Sequence, residues 1–201
     1  MHFLSPSFAA QRLELVGRTA HVNAAVDALA ARADAAFDGV ELLPEGGHPL
    51  ARWHPAPFRV GNHGYRSVGH YVAHQKALLF GDATAAAQLA AAVDEATIRK
   101  LGRGISRYED AVWRREARRV GYEGNCAKFL QDGSLGDRLL ATGDRLLVEA
   151  SRNRLWGAGL PGAAARETPR AGWPGRNWLG YVLTLLREDL RLTHRTMPRT
   201  G

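Results

Sequence analysis

The stretch NCAKFLQDGSLGDRLLATGDRLLVEAS, residues 125–151, changes from helix to strand within 27 residues. Its first part ends a long helical segment at Gln131, and LGDRLLATG over 135–143 predicts a short helix that stops near a glycine. RLLVEAS over 145–151 has the apolar and branched residues typical of a strand. We therefore expect an α+β fold that is predominantly helical, in a single compact domain with a small β-hairpin or sheet.

Segments on both sides of this stretch carry further helix and hairpin signals. Apolar periodicity predicts helices over 67–80, 83–93, 95–101, 107–131 and 177–195. Two glycines, Gly121 and Gly124, predict an interruption or bend in the long helix. The turn-like GNHG at 61–64, with β-prone runs on either side, predicts a hairpin. A Gly/Pro/Ala-rich loop is expected over 157–175.

The closing helix has an apolar stripe, which predicts that it packs on the core. The stripe consists of Leu179, Val182, Leu183, Leu186 and Leu190.

Near the N-terminus, an amphipathic, alanine-rich helix is predicted over 22–38. We assign residues 1–47 to an N-terminal extension that carries this helix, residues 48–195 to the main domain and residues 196–201 to a tail. No apolar run approaches the roughly 18 residues that a membrane span needs, and no secretory signal pattern is present. A cytoplasmic protein without a membrane partner is expected.

Composition limits the partners and the redox chemistry. The formal charge of +7 favours an anionic partner, either a phosphorylated small molecule or nucleic acid. The single Cys126 cannot form an internal disulfide and has no neighbours at metal-ligand spacing, so we expect a buried thiol.

The basic residues are unequally divided between arginine and lysine. Of 27 basic residues 24 are arginines, and the lysines are Lys76, Lys100 and Lys128. A lysine can supply a neutral amine, which a guanidinium cannot. Chance survival of three lysines explains the bias about as well.

Six segments in order resemble one family, the YbiA-like or NADAR family, over about residues 48–192. They are LARWHPAPFRV (50–60), SVGHYVAHQKA (67–77), RKLGRG (99–104), the stretch 125–151 quoted above, LWGAG (155–159) and PGRNWLGYVLTLLREDL (174–190). Any one of them could occur by accident, but six in the same order with comparable spacing are specific as a set.

The resemblance implies an N-glycosidase that acts on ribosyl compounds without a cofactor. The reaction implied is hydrolysis of a phosphoribosylated aminopyrimidine from the riboflavin or the azapteridine (toxoflavin) pathway, with release of ribose 5-phosphate. Two alternatives stay open: removal of ADP-ribose from guanine in nucleic acid, and a non-catalytic module that binds ribosyl phosphate or ADP-ribose. The expected partner is a small phosphorylated ribosyl substrate, with nucleic acid second.

Three positions depart from the family pattern. Gly69 stands where the family usually has glutamate, Arg52 where it often has asparagine, and Asn153 where it has aspartate. The first of these lies in the helix over 67–80, whose two histidines, glutamine and lysine we expect on one inward face.

Cleavage of a ribosyl C–N bond needs a nucleophile that attacks C1 of the sugar and a group that donates or accepts protons. Lys76 and Lys128 lie at motif positions and are the candidate amines for a Schiff base, with Lys76 preferred. Glu149, at the end of the predicted strand, is the best remaining candidate for an acid or base.

The candidate substrate-binding residues include four arginines for the phosphate. The full set is Arg52, Trp53, Arg66, His70, His74, Arg103, Asn153, Trp156, Arg176 and Asn177. Trp156 is expected to stack on the base or sugar. Asn177 either caps the last helix or binds a ribose hydroxyl. His70 and His74 lack a third ligand, so we predict no metal site, a core position for His70 and a pocket role for His74.

Overall fold

The computed structural model describes residues 21–44 and 47–196. In this part of the chain the helices are α1 (Val22–Ala36), α2 (Val68–Leu79), α3 (Ala83–Ala91), α4 (Glu95–Arg103), α5 (Asp110–Gln131), α6 (Gly133–Ala141), α7 (Ala164–Glu167) and α8 (Trp178–Thr196). The strands are β1 (Val40–Pro44), β2 (Phe58–Val60), β3 (His63–Tyr65) and β4 (Leu146–Ala150). The predicted α+β class with mostly helices is confirmed.

The strands form two short sheets, one between distant segments of the chain and one between neighbouring segments. β1 pairs in parallel with β4, from Val40 opposite Leu146 to Pro44 opposite Ala150. β2 and β3 form the predicted antiparallel hairpin, which turns at Gly61, a residue with φ of +57°. The strand predicted at 145–151 is confirmed as β4, whereas β1 was not predicted.

The core forms where α8 packs on β4 and α5. All five residues of β4 are buried. The predicted stripe on α8 is confirmed, since Leu179, Val182, Leu183, Leu186 and Leu190 are all buried in the main core. This packing holds the end of β4 and the start of α8 next to each other.

Helix α1 belongs to this core. A bidentate ion pair of 2.7 Å joins Asp34 to Arg170. The helix packs against α8 and α5, and its buried residues are Val22, Val26, Leu29 and Ala33. The domain boundary at residue 47 stays a prediction, but α1 and β1 pack as parts of one body with the remainder. Residues 1–20 of the predicted extension and 197–201 of the tail lie outside the described residues.

Helix α5 runs continuously through Gly121 and Gly124, so the predicted interruption is wrong, while the alternative of a bend stays a prediction. A Cβ on Gly121 would lie 2.6 Å from the ring of Trp156, and one on Gly124 would lie 2.6 Å from the ring of Tyr71. The glycines therefore let two aromatic rings pack directly on the helix, and this burial offsets the low helix propensity of glycine.

Three further findings concern other features of the chain. The predicted loop over 157–175 contains α7 and a 3₁₀ turn at Arg170–Gly172. Cys126 is a free, buried thiol, as expected. Within the described residues, no helix is both long enough and apolar enough to cross a membrane.

Candidate active site

A cleft of about 290 Å³ lies between α2, α4, the start of α5 and the turn before Trp156. Four cationic and four aromatic side chains line it: Arg52, Lys76, Arg99, Arg103, Trp53, Tyr108, Trp113 and Trp156. No carboxylate belongs to its lining in the part of the chain that the structure describes. This combination suits a ligand with an anionic group and a planar ring.

One face of helix α2 lines the cleft. Gly69, Val72, Ala73 and Lys76 recur at helical spacing and line it. The Lys76 ammonium donates a hydrogen bond of 3.1 Å to the Gly102 carbonyl. It also lies 4.1 Å from the centre of the Tyr108 ring. Burial lowers the pKa of this amine, so a larger fraction of it is neutral at physiological pH.

The two histidines of α2 lie on other faces of the helix, so the predicted single inward face is wrong. His70 Nε2 donates to the Leu89 carbonyl at 2.7 Å, and Nδ1 accepts from the Arg66 backbone N–H. His74 Nδ1 hydrogen-bonds with the Tyr65 hydroxyl at 2.9 Å. Both are buried, and burial lowers the pKa of each imidazole.

The predicted core position of His70 fits these contacts, while His74 lies in the aromatic cluster beneath the hairpin and not on the cleft. Among the described residues, no group of three or more His, Cys, Asp or Glu side chains is arranged to hold a metal ion.

Lys128 lies apart from the cleft. Its ammonium donates to the carbonyls of Pro49, at 2.7 Å, and Ala51, at 3.3 Å. The side chain is 1% exposed, and burial lowers its pKa to about 7 although Asp132 acts in the opposite direction. Lys128 therefore fixes the segment that carries Arg52 into the cleft.

One wall of the cleft is a stack of alternating guanidinium groups and indoles. Arg99 lies 4.0 Å from the Trp53 ring centre, on the side of α4. Arg52 lies 5.1 Å from the Trp53 ring and 5.4 Å from the Trp156 ring. We call the four side chains Arg99, Trp53, Arg52 and Trp156 the cationic wall.

Glu149 lies beside the cationic wall without lining the cleft. Its Oε1 is 3.7 Å from Nη2 of Arg52 and accepts a hydrogen bond of 3.2 Å from the Ser151 hydroxyl. The residue is 1% exposed. Arg52 therefore contacts Glu149, the predicted acid or base, and also lines the cleft where a ligand would bind.

Asn177 positions Glu149 through the backbone of β4. Its Oδ1 accepts from the Glu149 N–H at 3.0 Å, and its Nδ2 donates to the Leu147 carbonyl at 2.9 Å. The residue is fully buried and has φ of +50°, in the left-handed region. The side-chain amide therefore bonds strand β4 and not the first turn of α8.

Asn153 shapes the turn that presents Trp156. Its Oδ1 accepts from the N–H groups of Leu155, at 2.9 Å, and Trp156, at 2.8 Å. An aspartate, the residue that the family has here, offers the same acceptor. Asn153 and Trp156 both line the cleft, as predicted.

The predicted phosphate contacts divide into two groups. Arg52 and Arg103 line the cleft, whereas Arg66, at the end of the hairpin, and Arg176, near the Trp178 ring, are exposed elsewhere. The sequence reasoning missed Arg99, although it precedes Arg103 by one helical turn within the RKLGRG motif.

Tyr108 and Trp113 were also missed. Tyr108 lies between α4 and α5 and Trp113 at the start of α5, and both line the cleft, although nothing in their local sequence indicates this.

Comparison with known proteins gives a consistent result. The NADAR domain family model matches residues 43–191. An N-glycosidase of Acanthamoeba polyphaga mimivirus is 35% identical over 159 residues, which cover 76% of this chain and 94% of that protein. A riboflavin biosynthesis protein of Vibrio vulnificus is 32% identical over 146 residues, which cover 71% of this chain and 35% of the relative.

The fold is also similar to that of a solved structure. The NMR structure of the E. coli protein YbiA matches with a TM-score of 0.68 at 24% identity, over 82% of this chain and 92% of YbiA. The cleft is built from segments that the family model covers, namely 52–53, 69–76, 98–113 and 153–156. From the family match over residues 43–191, the chain belongs to the NADAR domain family.

Proposed function

We propose that this cleft hydrolyses the N-glycosidic bond of a small phosphoribosylated aminopyrimidine and releases ribose 5-phosphate. The general class, N-glycosidase, rests on membership of the family and on a relative named N-glycosidase. The Vibrio relative named as a riboflavin biosynthesis protein supports an aminopyrimidine from that pathway as the base. An intermediate of the azapteridine pathway has the same chemistry.

The position of Lys76 is the observation that carries the proposal. Lys76 lines the cleft, and burial lowers the pKa of its amine. Lys128 is the second candidate, but carbonyl groups surround its ammonium and it does not line the cleft. A nucleophile must reach the sugar, so the geometry favours Lys76.

The proposed reaction has two stages. In the first, the lone pair of the neutral Lys76 amine attacks C1 of the ribose while the C1–N bond to the base breaks, and the base leaves with one added proton. The ring opens to a Schiff base between Nζ and C1. In the second, water adds to C1 and the C–N bond to Lys76 breaks, which releases the sugar phosphate and restores the amine.

The surrounding groups fit these charges. The Tyr108 ring, 4.1 Å from Nζ, stabilises a cation at this nitrogen, and the Schiff base is cationic when protonated. Arg99 and Arg103 lie one helical turn apart on α4 at the cleft, where they can bind the phosphate. Glu149, beside Arg52, is the proposed group that transfers protons.

The size of the cleft favours a small substrate. Its volume of about 290 Å³ is at the lower end of the roughly 300–1,000 Å³ typical of small-molecule sites. A guanine base in nucleic acid that carries ADP-ribose would extend well beyond it. The charge of +7 is the observation that favours this second substrate.

Borohydride trapping tests the proposed nucleophile. Ribose 5-phosphate and borohydride should give a covalent adduct at Lys76, with the mass of the protein plus the reduced sugar phosphate. Lys76→Arg should abolish the adduct at this position, and Lys100→Arg, a change at an exposed lysine outside the cleft, should leave it intact. Full turnover of both Lys76→Arg and Lys128→Arg would exclude the covalent mechanism and leave direct attack by water.

A second experiment tests the phosphate site. Ribose 5-phosphate should raise the melting temperature, with a stabilisation of about 2.7 kcal/mol at a hundredfold excess over the dissociation constant. Free ribose should not. Equal effects of the two sugars would contradict the phosphate site.

A further inference from the structure

The Trp53 indole occupies the space that a side chain on residue 69 would need. A Cβ on Gly69 would lie 2.5, 2.6 and 2.7 Å from three carbon atoms of the Trp53 indole. These distances are far inside van der Waals contact, and Trp53 is only 8% exposed, so its ring has little room to move. Residue 69 can therefore carry no side chain while the indole keeps its place.

The same indole contacts two arginines. Arg52 and Arg99 contact the Trp53 ring with centroid distances of 5.1 and 4.0 Å, and both line the cleft. The Nε1–H of Trp53 is buried without a hydrogen-bond partner in the part of the chain that is described. The indole is thus held by ring contacts and not by its polar atom.

We propose that Trp53 is the specificity-determining residue of the cleft. By filling the space that a side chain on residue 69 would need, it keeps a carboxylate out of this wall and supports two guanidinium groups in its place. The cleft then selects ribosyl ligands that carry a phosphate over uncharged ones. This inference rests on the proposed function for the choice of ligand.

Unfolding experiments test the steric half of the proposal without any ligand. Gly69→Ala should lower the melting temperature by several degrees, because the added methyl group overlaps the indole. In a Trp53→Leu background the same change should cost less than half as much, since the branched side chain leaves room for a methyl group. Equal costs in the two backgrounds would overturn the competition between these residues.

Calorimetry with ribose 5-phosphate tests the electrostatic half. Trp53→Leu should weaken binding by about tenfold or more, because Arg52 and Arg99 lose the ring that supports them. In that background, Gly69→Glu should bind at least about tenfold more weakly than Gly69→Gln, which has the same shape without the charge. Free ribose should not discriminate between these two variants.

The results separate this inference from the proposed function. Equal affinity of the glutamate and glutamine variants for ribose 5-phosphate, or wild-type affinity in Trp53→Leu, would overturn the role of Trp53. If the wild-type protein binds no ribose 5-phosphate, the proposed function and the ligand half of the inference both fail. The unfolding experiments would still decide whether Trp53 excludes a side chain at residue 69.

Discussion

Two lysines lie in regions of opposite character. Lys76 is half-buried on the wall of an open cleft, where an aromatic ring and one carbonyl contact its amine. Lys128 is 1% exposed and donates to two carbonyls of the segment before Arg52. Burial lowers the pKa of both amines. A lowered pKa alone therefore does not identify a nucleophile, because access to a ligand differs between the two sites.

Glu149 lies beside Arg52 but does not line the cleft. A substitution of Glu149 tests whether it takes part in catalysis or only stabilises the fold. Glu149→Gln should slow turnover by about a hundredfold or more, the usual effect of removing a positioned acid or base. The protein should remain folded and bind ribose 5-phosphate with similar affinity, as circular dichroism and calorimetry can check. Unchanged turnover together with a lower melting temperature would make Glu149 a structural partner of Arg52.

Arginine substitutions at the two lysines should separate the regions by stability. Lys128→Arg places a larger, permanently charged group in a closed space and should cost about 1–3 kcal/mol of the free energy of unfolding. Lys76→Arg, in the open cleft, should cost less than about 1 kcal/mol. Urea denaturation measures both values. A larger loss at Lys76 than at Lys128 would contradict the contrast between an open and a closed site.

The features that the sequence predicted well are local. The stripe on α8 and the hairpin at 61–64 follow from spacing within a few residues, so periodicity and turn chemistry were sufficient. β1 was missed because its five residues pair with β4, about 100 residues further along the chain. The continuity of α5 was missed for a similar reason, since Trp156 and Tyr71 fill the space next to its glycines.

The candidate site likewise combines residues that the sequence predicted with features that only the folded structure shows. Lys76, Arg103 and Trp156 were predicted from motifs and line the cleft. The sequence could not distinguish Lys76 from Lys128, because only the packed structure surrounds one of them with backbone carbonyls. It also could not show that Gly69 makes room for Trp53, since the two residues meet only through folding.

The pH dependence of stability provides a further test of the closed site. The pKa of Lys128 is about 7 in the folded protein, below its ordinary value of 10.5. Between these values the unfolded chain binds more protons, so this residue makes the folded state more stable as pH rises. The free energy of unfolding should therefore increase between pH 7 and 9, by up to about 1.4 kcal/mol per pH unit.

Lys128→Met is the control for this pH effect. It lacks the titrating amine, so the difference in unfolding free energy between wild type and variant should grow from pH 7 to 9. Burial raises the pKa of the Cys126 thiol, but this group is common to both proteins and cancels in the difference. A constant difference across this range would place the pKa of Lys128 near its ordinary value.

The smallest effect is expected at Asn153, where the open cleft meets the turn before Trp156. Asn153→Asp keeps the oxygen that accepts from the Leu155 and Trp156 N–H groups, so the free energy of unfolding should change by less than about 0.5 kcal/mol. Asn153→Leu removes that acceptor and should cost about 0.5–2 kcal/mol, as loss of a helix-capping side chain does. If thermal unfolding instead shows equal losses for both variants, the side-chain amide, and not its oxygen, holds the turn that presents Trp156.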